Sequence, residues 1–138
     1  MAEALILDAE AIGALAFARQ RSVLAQRARA ILTVAYEKRA IVRVPAPVLA
    51  EVCRGAPRDA AVLRLLNERG IEVIDLTGAM ARTAGGLLKK AKLGSAHAVD
   101  AFVVATALTY RSAVIATHDP DDLRRLAAGQ RTITIFAV

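Results

Sequence analysis

Ala113-Val114-Ile115-Ala116, continuing into Thr117-His118-Asp119-Pro120, decides how the rest of the chain is read. An apolar run of this length, without alternation, predicts a strand covered on both faces, as in a parallel sheet. It stops abruptly at a hydroxyl, an imidazole and a carboxylate. The same grammar opens the chain, where Ala4-Leu5-Ile6-Leu7 runs straight into Asp8. Short strand-like runs recur at Ile41 to Val44, closed by Pro45, at Ile71 to Leu76, and at Thr132 to Val138.

Between these runs the period is helical. Ala9 to Arg39 repeats Ala, Leu, Ile and Val at three- and four-residue spacing, and predicts two helices broken between Arg19 and Ser22. Pro47 suits the first turn of a helix that runs to Gly55, because its missing N–H has no partner to lose there. Asp59 to Glu68 is amphipathic and stops at Gly70. Thr77 is positioned to cap an Ala-rich helix ending in Lys89, Lys90 and Lys92. Ala96 to Tyr110 predicts a helix apolar on most sides, and Leu123 to Ala128 a short one. Strands separated by helices throughout imply a three-layer α/β/α fold with a central, mostly parallel sheet of about five strands. Residues 1–138 read as one domain, without a repeat or linker.

Composition excludes several classes. Of 138 residues 56% are hydrophobic and 31 are Ala, so the chain is neither disordered nor collagen-like. Cys53 stands alone, which excludes an intramolecular disulfide and makes a reducing cytoplasm the expected compartment. The longest stretch free of charged residues and histidine, Ala101 to Tyr110, is about half of what a membrane span needs. MAEALILD carries no basic region before its apolar run and does not read as a signal peptide. Nineteen Lys+Arg against 13 Asp+Glu leave a net charge of +6, compatible with a polyanionic partner.

Against that basic background, the positions of the acids carry information. Asp8 follows one strand, and Asp119 follows another by two residues. Asp100 lies early in the most apolar helix, and Glu51 lies about one turn into a helix that itself starts after a strand. Right-handed crossovers bring the carboxyl ends of parallel strands to one edge, where α/β sheets build their sites. Helical side chains lean toward the helix N-terminus, so Glu51 and Asp100 aim at that same edge.

Each acid also has an ordinary role. Asp8 alone would cap the following helix, the commoner job for Asp there. Asp119 or Asp121 could cap the Leu123 helix. Glu51 has Arg54 three residues on for a surface ion pair. Asp100 is harder to explain away. An ionised carboxylate on an apolar helix face costs several kcal/mol unless paired or metal-bound, and no Lys or Arg lies three or four residues from it. Four gathered carboxylates repel and call for a counter-charge. Oxygen donors select Mg²⁺ or Mn²⁺; zinc is disfavoured because only Cys53 could join His97 and His118. A divalent ion so held activates water and steadies the leaving oxygen of a phosphodiester, while a basic exterior holds the polyanion. The combination reads as a metal-dependent nuclease.

Four stretches then resemble one family. LILDAEAI (Leu5 to Ile12), VLAEVCRG (Val48 to Gly55), AVDAFVVATAL (Ala98 to Leu108) and IATHDPDDLRRL (Ile115 to Leu126) are similar, in order and spacing, to the motifs of PIN-domain ribonucleases, and within them to the VapC toxins of bacterial toxin–antitoxin pairs. The resemblance implies Asp8, Glu51, Asp100 and Asp119 as the catalytic metal ligands for Mg²⁺ or Mn²⁺. Thr117 and Asp121 would stand behind them or touch a second metal. It implies RNA as the substrate of an endoribonuclease leaving 5′-phosphate and 3′-hydroxyl ends, a homodimer, and inhibition by a VapB-like antitoxin.

The chain departs from the family pattern at Ala9 and Glu10, where a hydroxyl residue is common after the first acid, and at His118, where small or amide residues are common. Glu10 is expected to point away as a helix N-terminal acid; the other reading makes it a fifth carboxylate of the pocket. His97 is expected to be a helix-start residue near the groove, and Cys53 a packing residue. Arg54, Lys89, Lys90 and Lys92 could track RNA phosphates or form a solvated basic face. Gly85-Gly86 begins no dinucleotide fingerprint. Two other classes stand beside the nuclease. A phosphate-accepting receiver domain would need a different setting around Asp75, and a silent PIN-like protein would bind RNA or a partner without cutting.

Overall fold

The computed structural model describes residues 2–17 and 22–138. The elements in chain order are β1 (Ala4–Leu7), α1 (Ala9–Ala16), α2 (Val23–Glu37), β2 (Ile41–Pro45), α3 (Ala46–Val52), α4 (Arg58–Glu68), β3 (Glu72–Ile74), α5 (Gly78–Ala91), a 3₁₀ turn (Ser95–His97), α6 (Ala98–Ala107), β4 (Ala113–Thr117), α7 (Pro120–Leu126) and β5 (Ile133–Ala137). The helix break expected between Arg19 and Ser22 lies, except for Ser22, outside the described residues. Ser22 caps α2, its Oγ accepting from the Ala25 N–H at 3.1 Å.

The sheet runs β3-β2-β1-β4-β5, and every pair in it is parallel. This order has one consequence for function. From β1 the chain works outward to β2 and β3, then returns past β1 to start β4 and continue to β5. The connections leaving β1 and β4, which pair directly, therefore depart in opposite directions. A crevice opens between their carboxyl ends, at the switch point where open α/β sheets place their sites. Helices follow the same division. α1 packs on α2 and α4, while α5, α6 and α7 pack on one another; α3 touches both α1 and α6.

β1 and β4 are buried along their whole length, as their unbroken apolar sequences require. Leu5, Ile6, Leu7 and Ile115 are inaccessible to solvent. Burying each such side chain stabilises by about 1.5–3 kcal/mol, and Ile115→Ala would cost about 2–5 kcal/mol. α6 buries Ala101, Val103, Val104, Ala105, Thr106 and Ala107, so it runs through the interior and not along the surface. The Thr106 hydroxyl tolerates that burial by donating to the Phe102 carbonyl at 2.8 Å.

Three boundaries differ from the expectation. β3 is half the anticipated length, because it pairs only with β2 over three residues, Arg43 to Pro45 opposite Glu72 to Ile74. The α6 segment opens as a 3₁₀ turn, with α-helix only from Ala98. α7 begins at Pro120 and not Leu123, since proline loses nothing at the first helical position.

Candidate metal centre at the carboxyl edge of the sheet

Asp8 is delivered by β1 and held by the start of α1. Its backbone N–H still reaches the Ala116 carbonyl of β4, at 3.4 Å. Its Oδ1 accepts from the Ala11 N–H at 2.9 Å, so the capping role expected of a lone Asp is real. That bond uses one carboxylate oxygen, and Asp8 also lines the cavity between β1 and β4. Only 6% of Asp8 is exposed. Burial pushes its carboxyl up to about 6; hydrogen bonds from Thr117 and the Ala11 N–H pull it down, and Glu10 and Asp100 push it further up.

Thr117 ends β4 and links the two strands. Its buried hydroxyl oxygen accepts from the Asp119 N–H at 3.1 Å, and the hydroxyl also bonds the Asp8 side chain. Asp119 occupies the N-cap position of α7, but its side chain makes no capping bond, which leaves the carboxylate available to the cavity. Asp100, in the first turn of α6, is half-buried. Burial raises its pKa, Glu51, Asp122 and Asp119 raise it further, and His97 opposes them. Glu51 reaches in from α3 and is solvent-exposed.

These side chains surround one cavity of about 130 Å³, lined by Asp8, Glu10, Glu51, Asp100, Asp119 and Thr117 with Val48, Val99 and Val103 as apolar walls. The four acids named from the sequence are thus brought together from four separate segments. Glu10 is the correction: it does not point away but lines the same cavity, a fifth carboxylate. It reaches the cavity because α1 starts one residue after Asp8, on the floor of the crevice.

Other expectations fare differently. Arg54 does not pair with Glu51; its guanidinium donates to the Ala50 and Cys53 carbonyls, both at 2.6 Å, closing the end of α3. Asp121 turns outward to Arg124, 3.9 Å away. With α7 starting at Pro120, one residue of helix rotation brings Asp122 to face α6 instead, where its Oδ2 lies 3.3 Å from His97 Nδ1. Asp122 was not anticipated, because its orientation depends on where α7 begins. Lys89, Lys90 and Lys92 do not line the cavity. Their end of α5 is fastened at Ala91, whose carbonyl accepts from Arg125 at 2.9 Å, at the end of α7 remote from Asp119. His118 is exposed, with Nδ1 3.2 Å from the Val138 carbonyl. Cys53 is half-buried at the end of α3, where burial raises its thiol pKa, an unreactive setting.

The donor set suits a hard divalent cation. Five carboxylates and a hydroxyl line the cavity and no Lys, Arg or His does, so the charge is uncompensated within it. Mutual repulsion and burial already act on Asp8 and Asp100 in the direction that a bound cation would reverse.

Fold and cavity together define an α/β protein with an acidic pocket at the switch point of a parallel sheet. The PIN domain family matches residues 5–129, and the chain belongs to that family. No curated protein matches it closely enough to count as a relative. Among solved structures, a chain of a toxin–antitoxin complex from Klebsiella pneumoniae has the same fold. It superposes with a TM-score of 0.65 at 19% identity, over 97% of this chain and 99% of that one. Among the described residues no helix is long and apolar enough to cross a membrane.

Proposed function

We propose that this chain is a metal-dependent endoribonuclease, the toxin of a VapBC-like toxin–antitoxin pair. The observation that carries the reading is the convergence of Asp8, Glu51, Asp100 and Asp119 on one cavity free of basic side chains. Membership of the PIN domain family supports nuclease chemistry. The shared fold with a toxin–antitoxin complex chain supports an inhibitory protein partner, here a VapB-like antitoxin. A homodimer belongs to the same reading.

In this assignment Asp8, Asp100 and Asp119 bind Mg²⁺ or Mn²⁺ directly, and Glu51 binds directly or through water. When bound, the ion supplies a Lewis acid that polarises the scissile phosphodiester and lowers the pKa of water. The chain's own residues do the rest. Ala11 N–H and Thr117 hold the Asp8 carboxylate in one orientation, so it needs no reorganisation when ligand arrives. Val48, Val99 and Val103 keep the floor dry and so strengthen every charge interaction above it. Exposed Glu51 and Asp119 stand where a phosphate oxygen and its water would enter. The surplus of basic residues elsewhere, net +6, holds the nucleic-acid backbone against an otherwise repulsive pocket.

Incubation of purified protein with structured and single-stranded RNA tests the assignment. Cleavage is expected with Mn²⁺ or Mg²⁺ and none with chelator. Cleavage unaffected by chelator, or absent under every metal condition, overturns it.

A further inference from the structure

Beside the carboxylate cavity, α6 and α7 bring together a second group that the nuclease reading does not use. His97 Nδ1 lies 3.3 Å from Asp122 Oδ2 and 4.0 Å from Asp100 Oδ2. The three donor atoms fall within 4.8 Å of one another. All three residues are partly exposed, which leaves an approach from solvent.

An ion pair accounts for only part of this arrangement. His97 Nδ1 carries at most one hydrogen and can satisfy one carboxylate, yet two face it. Even with His97 protonated the trio is left with a net negative charge, and neutral His97 leaves two. Among the described residues neither Asp100 nor Asp122 is paired with a Lys or Arg. The N-terminal turn of α7 favours Asp122 electrostatically, but that is a single partial charge. One imidazole nitrogen with two carboxylate oxygens is a donor set for borderline divalent ions. Mn²⁺, Co²⁺ and Zn²⁺ accept mixed nitrogen and oxygen ligands, whereas Mg²⁺ and Ca²⁺ prefer oxygen alone.

We infer that His97, Asp100 and Asp122 form a second divalent-metal site, specific for a transition metal, that shares Asp100 with the carboxylate cavity. Asp100 then has a bridging place: Oδ2 turns toward His97 while the residue also lines the cavity. The sequence disfavoured zinc because the histidines lacked cysteine partners; α7 supplies a carboxylate in their place. The site requires only these three side chains. It stands or falls separately from RNA cleavage, although the shared Asp100 ties it to the proposed catalytic ion.

Zinc is the probe. Chelator-treated protein is titrated with Zn²⁺ by calorimetry and, in parallel, by ¹⁵N-histidine NMR, with His118→Gln assigning the two imidazoles. Wild type is expected to show two binding events and a shift of the His97 Nδ1 resonance. His97→Gln and Asp122→Asn lose one event, or weaken it at least about tenfold, since even outer partners of a metal ligand cost 10–100-fold. Asp8→Asn keeps the event that moves His97, and Asp100→Asn disturbs both. An unmoved His97 resonance at saturating Zn²⁺ in the wild type overturns the site, as does an unchanged two-event isotherm in folded His97→Gln. Absence of RNA cleavage in Mg²⁺ or Mn²⁺ would refute the nuclease assignment and leave this titration untouched.

Discussion

Asp8 and Asp119 stand at the ends of neighbouring strands that are both fully buried, yet the two acids live in opposite conditions. Asp8 is buried, oriented by the Ala11 N–H and pushed up to about 6. Asp119 is exposed and makes no capping bond. The difference arises after the strands end. α1 begins one residue past Asp8 and folds over it, whereas two further residues separate β4 from α7. One acid is pre-set and costly to ionise; the other is adaptable and cheap. A site assembled this way keeps a rigid anchor at the floor and a movable ligand at the rim.

The largest effect that could break this contrast is on cleavage. Asp8→Asn and Asp100→Asn are each expected to lower RNA cleavage about a thousandfold, the several kcal/mol that a misplaced metal ion forfeits. Asp119→Asn, which keeps an oxygen donor on an exposed side chain, is expected to cost only about ten- to a hundredfold. Equal losses at the three positions, measured by initial rates in saturating Mn²⁺, would erase the distinction between anchor and rim.

Stability sharpens the contrast at smaller scale. The folded-state pKa of Asp8 is about 6 against an ordinary value of 3.8, so between those pH values the folded protein holds the proton more tightly than the unfolded chain. That favourable contribution is complete below about pH 3.8 and is lost as pH rises through 6. At 1.36 kcal/mol per unit the loss is roughly 2–3 kcal/mol. Metal-free Asp8→Asn, which retains an acceptor for Ala11, is therefore expected to exceed wild type in stability by about that amount at pH 7–8. The gap should close toward pH 4. Denaturant midpoints with chelator present check it, and a gap independent of pH would show that burial is not what raises Asp8.

At the bottom of the scale lies Asp121. Its pairing with Arg124 at 3.9 Å is between exposed side chains, so Asp121→Asn is expected to change the unfolding free energy by less than about 0.5 kcal/mol. A larger change in a thermal melt would mean that this acid, like Asp122, faces the interior of the site.

Much of this was legible without coordinates. The apolar runs before Asp8 and Asp119 announced two covered strands, because a strand buried on both faces cannot alternate. The Thr77 cap is where its position before an Ala-rich segment placed it, accepting from Met80 N–H at 3.1 Å. Asp100 was legible because no partner lay along its own helix. What escaped was direction. Glu10 appeared to be an outward helix-start acid, Arg54 a partner for Glu51, and Asp121 the acid that would face inward. Each error has the same origin: the side-chain azimuth follows from where a helix begins or ends, to within a single residue, and boundaries are where local pattern is weakest. β3 failed differently. Its alternation from Ile71 to Leu76 was real, but a strand extends only as far as its partner, and β2 offers three residues, one joined by the Arg43–Glu72 ion pair at 3.1 Å.

Residue order alone determined the layers, the parallel sheet and the identity of the four acids, because hydrophobic period and chain handedness leave few ways to arrange alternating strands and helices. Tertiary structure decided which strands are neighbours at the switch point and which carboxylates meet. It alone set Glu10 inside the cavity and Asp122 beside His97. Those outcomes depend on distances between segments far apart in the chain, and repulsion among like charges acts through space rather than along the backbone.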